Sequence, residues 1–177
     1  SLRRQRQMCI RDSFNKNLKI NIDNFISFFK LNTGNAYNLG GYYPSNYEID
    51  DLEILDLLEK KKFKISLPII KKNNQMDFFK WSNNDPLKIN QFGIPEPTSS
   101  KKFYPDILLV PLVAYDNHLN RLGYGGGFYD RYIEKIEKIK KVIKIGLAFS
   151  CQKIKNIPLS KYDKKLDFII TEKEILK

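Results

Sequence analysis

The chain has 177 residues, 42% hydrophobic and 13% aromatic, enough to bury the core of one ordinary domain. No apolar run approaches the roughly 20 residues that cross a bilayer, and the first residues lack the apolar centre and small-residue cleavage site of a secretory signal. A cytoplasmic protein without a membrane partner is therefore expected. The formal charge of +11 raises nucleic-acid binding, but lysine is spread along the whole chain and its clusters at 60–64 and 135–144 fall on amphipathic helices or their ends. They read as solvated faces, and no nucleic-acid partner is expected.

In chain order, Ile22, Phe25, Ile26 and Phe29 share one face of a helix within 14–30. Residues 36–43 (AYNLGGYY) predict a strand weakened by Gly40 and Gly41. Ile49, Leu52, Leu55 and Leu58, at three-residue steps, predict a helix over 49–62. Strands follow at 63–70 and 76–81. Residues 82–105 are polar and hold four prolines, which predicts a long ordered loop without elements. DILLVPLVAYD (106–116) is nearly all apolar, as in a parallel strand covered on both sides, with Pro111 as a blemish. Tyr132, Ile133, Ile136 and Ile139 predict the next helix, and 142–149 and 167–171 the last strands. The alternation predicts an α/β sheet in a single domain. Cys9 and Cys151 lie far apart in sequence with no Cys or His nearby at metal spacing, so two plain thiols are expected.

Residues 121–131, RLGYGGGFYDR, place four glycines within five positions between a strand and a helix. In such sheets ligands bind beyond the carboxyl ends of the strands. A glycine loop opening a helix offers unpaired N–H groups and a positive dipole end, and the missing β-carbons let phosphate oxygens approach. It is not a Walker loop, since Gly127 is followed by Phe128, and a dinucleotide loop would need a third glycine where Phe128 stands. A bare tight turn is the alternative. Arg121 and Arg131 bracket the loop and suit phosphate oxygens in fork geometry. Asp130, in the first helical turn, either complements the dipole or belongs to a phosphate site in which bound Mg²⁺ reverses its repulsion.

RLGYGGGFYDR, preceded by LVPLVAYD and by FGIPEP (92–97), resembles the 5-formyltetrahydrofolate cyclo-ligase family. The resemblance extends through YYPSNYEID (42–50), SLPII (66–70), FFKW (78–81), IGLAFS (145–150) and YDKKLDFIIT (162–171). It implies a three-layer α/β/α fold with a mostly parallel sheet, expected here as a monomeric domain over 14–177. It further implies ATP- and Mg²⁺-dependent closure of 5-formyltetrahydrofolate, polyglutamylated or not, to 5,10-methenyltetrahydrofolate, with release of ADP and phosphate. Carried over by position, Arg121, Leu122, Gly123, Tyr124, Gly125, Gly126, Gly127, Phe128 and Tyr129 would line the nucleotide. Tyr124, Gly125, Gly126, Gly127 and Phe128 would also border the folate, and Arg121, Tyr129 and Arg131 would serve the chemistry. Asp130 and Asp163 would hold Mg²⁺, with Asp167 the less favoured ligand. Glu48 would hydrogen-bond the pterin and Tyr43 flank it. Trp81 and Phe92 offer flat apolar surface to the same substrate or else belong to the core.

Two departures from the family pattern stand out. Phe128 replaces a frequent tyrosine, keeping the ring and losing the hydroxyl. Residues 1–13 do not match the basic helix with which relatives begin, and read as a truncated start or a segment foreign to the domain. Two other classes stay open on the residues. One is a nucleotide- or nucleic-acid-binding protein without catalysis, which gives no reason for Asp130 and Asp163 beside a phosphate loop. The other is a related α/β enzyme acting on another phosphorylated substrate, which would want a catalytic base and no ATP.

Overall fold

The computed structural model describes residues 38–45 and 48–177, together with Met8, Phe25 and Ile26. Most of the expected helix within 14–30 and nearly all of the atypical first thirteen residues lie outside these. In chain order the elements are β1 (Asn38–Gly40), α1 (Leu52–Lys60), β2 (Lys64–Lys71), β3 (Gln75–Lys80), β4 (Leu87–Ile89), β5 (Pro95–Pro97), β6 (Lys102–Phe103) and β7 (Ile107–Pro111). They continue with β8 (Ala114–Tyr115), β9 (Arg121–Leu122), α2 (Phe128–Glu137), β10 (Ile143–Leu147), a short 3₁₀ turn (Ser150–Gln152), β11 (Phe168–Ile170) and β12 (Ile175–Leu176).

The central sheet has eight strands in the order β12-β11-β10-β7-β1-β2-β3-β6. The five from β11 to β2 run parallel; β12 pairs antiparallel with β11, β3 antiparallel with β2, and β6 antiparallel with β3, so that β6 again runs with the five. Residues of β7 alternate between the two faces, as the period of two demands. Ile107 and Leu109 join the cluster under Ile54, Leu55 and Leu58 of α1, whereas Leu108 and Val110 join the cluster under Tyr132, Ile133 and Ile136 of α2. All five residues of β7 are buried, which is why this segment reads as one continuous apolar run. The expected mixed α/β architecture with a mostly parallel sheet is found.

Three local expectations change. The proline-rich span 82–105 is not featureless: β4 and β5 form a small antiparallel sheet pairing Leu87 with Pro97 and Ile89 with Pro95, and β6 joins the central sheet. Proline is compatible with a strand at an edge, where its missing N–H leaves no central ladder broken. The run 106–116 divides into β7 and β8, with Pro111 closing β7. Cys151 is disulfide-bonded, against the expected plain thiol, because separation in sequence puts no limit on separation in space. Cys9 lies outside the described residues. Among them, no helix is long and apolar enough to cross a membrane.

The basic cluster at 135–144 is largely paired. Lys138 meets Glu134, Lys140 meets Asp106, and Lys144 meets Glu137 and Asp167. The tightest cross-element link is Asp77 of β3, 2% exposed, which meets Lys71 of β2 at 2.6 Å, Lys135 of α2 at 2.6 Å and Lys102 of β6 at 3.2 Å. Burial alone would raise this carboxyl, but the hydrogen bonds from the three lysines outweigh it and hold it down to about 2. A group lowered from 3.8 contributes stability that is complete above that value and is lost as the pH falls through about 2. Asp77→Asn should cost about 1–2 kcal/mol, since the freed lysines can turn to water, and lower Tm by roughly 3–6 °C. The difference from wild type in thermal melts should close as the pH approaches 2.

Candidate active site

Beyond the carboxyl ends of β1, β2 and β7 lies a cavity of about 610 Å³, within the usual range of small-molecule sites. Of the residues expected at a site, Tyr43, Glu48, Arg121, Asp130, Asp163 and all of 122–129 line it. Pro68 and Ile70 of β2, Met76 of β3 and Pro111 of β7 add an apolar side.

The glycine segment leaves the hairpin of β8 and β9, whose strands have two residues each and in which Tyr115 pairs with Arg121. The hairpin turn is organised by the buried Asp116, whose carboxylate accepts the amides of His118, Asn120 and Ile157 and the side-chain amide of Asn120. His118 itself is exposed, as its polar turn implied. Gly125 has φ 96° and Gly127 φ 64°, the latter as the residue that precedes the first turn of α2. Both are left-handed conformations that side chains adopt only under strain. The chain uses them to swing from strand to helix while leaving the amides of Gly125, Gly126 and Gly127 without an acceptor among the described residues. Free amides at the N-terminus of a ten-residue helix make an anion cradle.

The other side of the loop is tied down. Gly126 O accepts from the Arg131 guanidinium and, at 3.3 Å, from Asn74 Nδ2, while Arg131 Nε donates to Asn74 O at 3.0 Å. Arg131 thus does not line the cavity; it braces the loop from behind, together with the β2–β3 turn. Sequence reasoning missed Asn74, whose only local signal is the Asn-Asn pair of a tight turn with φ 57° and 53°.

Arg121 does reach the cavity wall. Its residue is 8% exposed, its guanidinium meets Asp130 Oδ1 at 2.7 Å and lies 5.9 Å from the Tyr129 ring centre, and its Nε is buried with no partner among the described residues. The hydroxyls of Tyr124 and Tyr129 are likewise buried without partners among the described residues. Buried donors left unpaired are costly, and here three border one cavity. A ligand rich in acceptors would satisfy them.

Asp130 Oδ1 also accepts the Lys164 amide at 3.1 Å, and Asp163 Oδ2 accepts the Ser160 amide at 2.6 Å. The turn over 160–164 thereby brings both carboxylates to the cavity, each with its second oxygen unengaged by the described residues. Two hard oxygen donors beside a phosphate cradle fit Mg²⁺, which takes few protein ligands and completes its shell with phosphate and water. Among the described residues no group of three or more His, Cys, Asp or Glu could hold a metal, so their share would stop at these two. Asp167 has a structural task, accepting the Lys144 amide at 2.8 Å.

Glu48 stands on a turn whose Ser45 amide and hydroxyl donate to Oε2 at 2.9 and 3.2 Å. Burial pushes its carboxyl up from 4.5 to about 7, against the opposing pull of those hydrogen bonds. Asp51, not anticipated as a special residue, lies fully buried before α1, accepting the Tyr42 amide at 3.1 Å with its other oxygen unpaired among the described residues. Burial raises it well above the ordinary range. Trp81 is not brought to the cavity: it is 4% exposed in the α1-side core, with Nε1 unpaired among the described residues. Phe92 stands at the cavity, 55% exposed, its ring edge-on to Phe128 at 6.5 Å.

Residues 28–172 match the family model described as the 5-formyltetrahydrofolate cyclo-ligase family. Over 135 residues the chain is 36% identical to the 5-formyltetrahydrofolate cyclo-ligase of Haemophilus influenzae, covering 72% of each chain. It is 30% identical over 164 residues to that of Mycoplasma genitalium, covering 91% of this chain and 88% of the relative. The fold is similar to the solved structure of Aquifex aeolicus 5,10-methenyltetrahydrofolate synthetase, with a TM-score of 0.78 at 26% identity over 99% of this chain and 90% of the other. It is also similar to the synthetase structure from Mycoplasma pneumoniae, at a TM-score of 0.73 and 22% identity over 97% of each, a likeness of fold alone.

Proposed function

The chain belongs to the 5-formyltetrahydrofolate cyclo-ligase family, and from that premise we propose that it converts 5-formyltetrahydrofolate and ATP into 5,10-methenyltetrahydrofolate, ADP and phosphate with Mg²⁺. The observation that carries this reading is one cavity holding a glycine cradle of free amides, two acidic side chains and the half-buried carboxyl of Glu48. A phosphate chain suits the first, a divalent cation the second, and a ring bearing N–H donors the third.

The formyl oxygen is a poor leaving group until it carries phosphate. Transfer of the γ-phosphoryl group to that oxygen breaks the bond to ADP; N10 then attacks the formyl carbon and gives up its proton to solvent, and the carbon–oxygen bond breaks as phosphate leaves. The protein's part is alignment and positive charge. The amides of residues 125–127 and the guanidinium of Arg121 face the charge, Tyr124 and Tyr129 donate hydrogen bonds, and Arg131 keeps the loop in shape. Asp130 and Asp163 would hold Mg²⁺, which when bound offsets the negative charge of the phosphates. Residence in the cytoplasm and action as a monomer belong to the same proposal.

Glu48 would accept hydrogen bonds from the pterin. Because its folded value is raised, the carboxyl holds a proton that the unfolded chain releases above about 4.5, so its contribution to stability erodes as the pH rises toward 7. For substrate the sign is opposite: the ionised acceptor is lost as the pH falls below about 7. The folate KM should rise on acidification, and Glu48→Gln should raise it about tenfold while flattening that pH dependence. Steady-state KM between pH 6 and 8 checks this.

The reading as a whole is tested by incubating the protein with 5-formyltetrahydrofolate, ATP and Mg²⁺ and following the near-ultraviolet absorbance of the methenyl product. Absorbance should grow only in the complete mixture, with one ADP per product. RNA binding that weakens steeply with salt, without such turnover, would favour a nucleic-acid protein instead.

A further inference from the structure

One buried acid supports the cavity wall without lining it. Glu96 of β5 is 6% exposed; its Oε2 accepts the Ile70 amide of β2 at 3.4 Å and Asn90 Nδ2 at 3.2 Å, and the Lys88 ammonium stands 3.5 Å from Oε1. With its nitrogen committed to Glu96, the Asn90 amide turns Oδ1 toward its own loop, accepting Phe92 N at 2.8 Å and Ile94 N at 3.1 Å. Asn90 N donates to Ile94 O at 3.0 Å, and Gly93, at φ 75°, completes the reversal. Asn90, Phe92, Ile94 and Pro95 all line the cavity. Phe92 is too exposed for burial to fix it, so its place depends on the loop, and the loop depends on the chain of hydrogen bonds that ends on Glu96.

We propose that Glu96 is a positioning residue, acting through Asn90, that fixes Phe92 as an apolar wall for the flat rings of the folate substrate. The inference rests on the cyclo-ligase reading and deepens it. The loop offers the cavity no cation for phosphates, while an aromatic edge beside Phe128 suits neutral pterin and benzoyl rings. Disturbing Glu96 should therefore loosen folate and spare the nucleotide.

The test combines calorimetric titration of the full chain with 5-formyltetrahydrofolate, without ATP, and steady-state kinetics. Glu96→Ala should raise the folate Kd and KM about tenfold with kcat and the ATP KM within about twofold. Glu96→Gln keeps an oxygen acceptor for both amides and should stay within about twofold of wild type. Asn90→Ala, a loop change that leaves Glu96 in place, should reproduce Glu96→Ala even if the latter folds poorly. Glu96→Gln as damaging as Glu96→Ala, wild-type folate affinity in Asn90→Ala, or a matching rise in the ATP KM would each overturn the proposal. A wild-type chain that binds no folate would remove the cyclo-ligase reading and this inference together.

Discussion

Asp130→Asn is expected to lower kcat about 10²–10³-fold and to raise the Mg²⁺ concentration needed for half-maximal rate at least about tenfold. Asparagine keeps an oxygen for the Arg121 guanidinium and the Lys164 amide, the two partners of Oδ1, so the loop geometry should persist. What disappears is the charge that an ion would use. The competing explanation gives Asp130 only a structural task, balancing Arg121 and the dipole of α2 at 18% side-chain exposure. That task is worth about 1 kcal/mol, so it predicts a small drop in Tm and a rate loss below about fivefold. An enzyme that used no ATP would be equally insensitive. Rate, Mg²⁺ dependence and melting, measured on one preparation, separate these outcomes.

Gly127→Ala should be the second severe change. At φ 64° an alanine is strained by about 1–2 kcal/mol, and its Cβ would lie 2.9 Å from an Arg131 guanidinium nitrogen. Arg131 would have to move, and with it the brace on the Gly126 carbonyl. Loss of alignment for even one cradle amide is worth about 10²-fold in rate. We expect kcat/KM for ATP to fall about 10²–10³-fold with folate binding in calorimetry nearly unchanged. Equal loss of folate affinity would mean that the loop serves the folate and not the phosphates.

Much of this was legible in the chain because its physical cause is local. The apolar run of β7, the helical spacing of apolar residues in α1 and α2, and the glycine loop each carry their own signal, and the loop with its flanking Arg121 and Asp130 located the cavity. What was not legible depends on which side of the sheet a residue faces or on what arrives from far along the chain. Trp81 follows β3 and enters the α1-side core with Ile65 and Leu67, whereas Pro68, Ile70 and Met76 face the cavity. Arg131 seemed to grip phosphate until Asn74, 57 residues away, was placed beneath it. The buried acids Asp51, Asp77 and Glu96 look like ordinary surface carboxylates in sequence; burial and the partners they collect emerge only from the fold. Prolines in 82–105 hid a hairpin because a breaker in a central strand is tolerated at an edge.

In the proposed complex, bare main chain at 125–127 and the pair Asp130 and Asp163 hold ATP beside a folate bound at Glu48. A crystal structure of the full chain with a non-hydrolysable ATP analogue, Mg²⁺ and 5-formyltetrahydrofolate tests it most directly. Phosphate oxygens should lie within hydrogen-bond distance of those amides, with one ion shared by the two aspartates and the pterin on the Glu48 carboxyl. A triphosphate bound away from the glycine loop, or aspartates that share no ion, would contradict it.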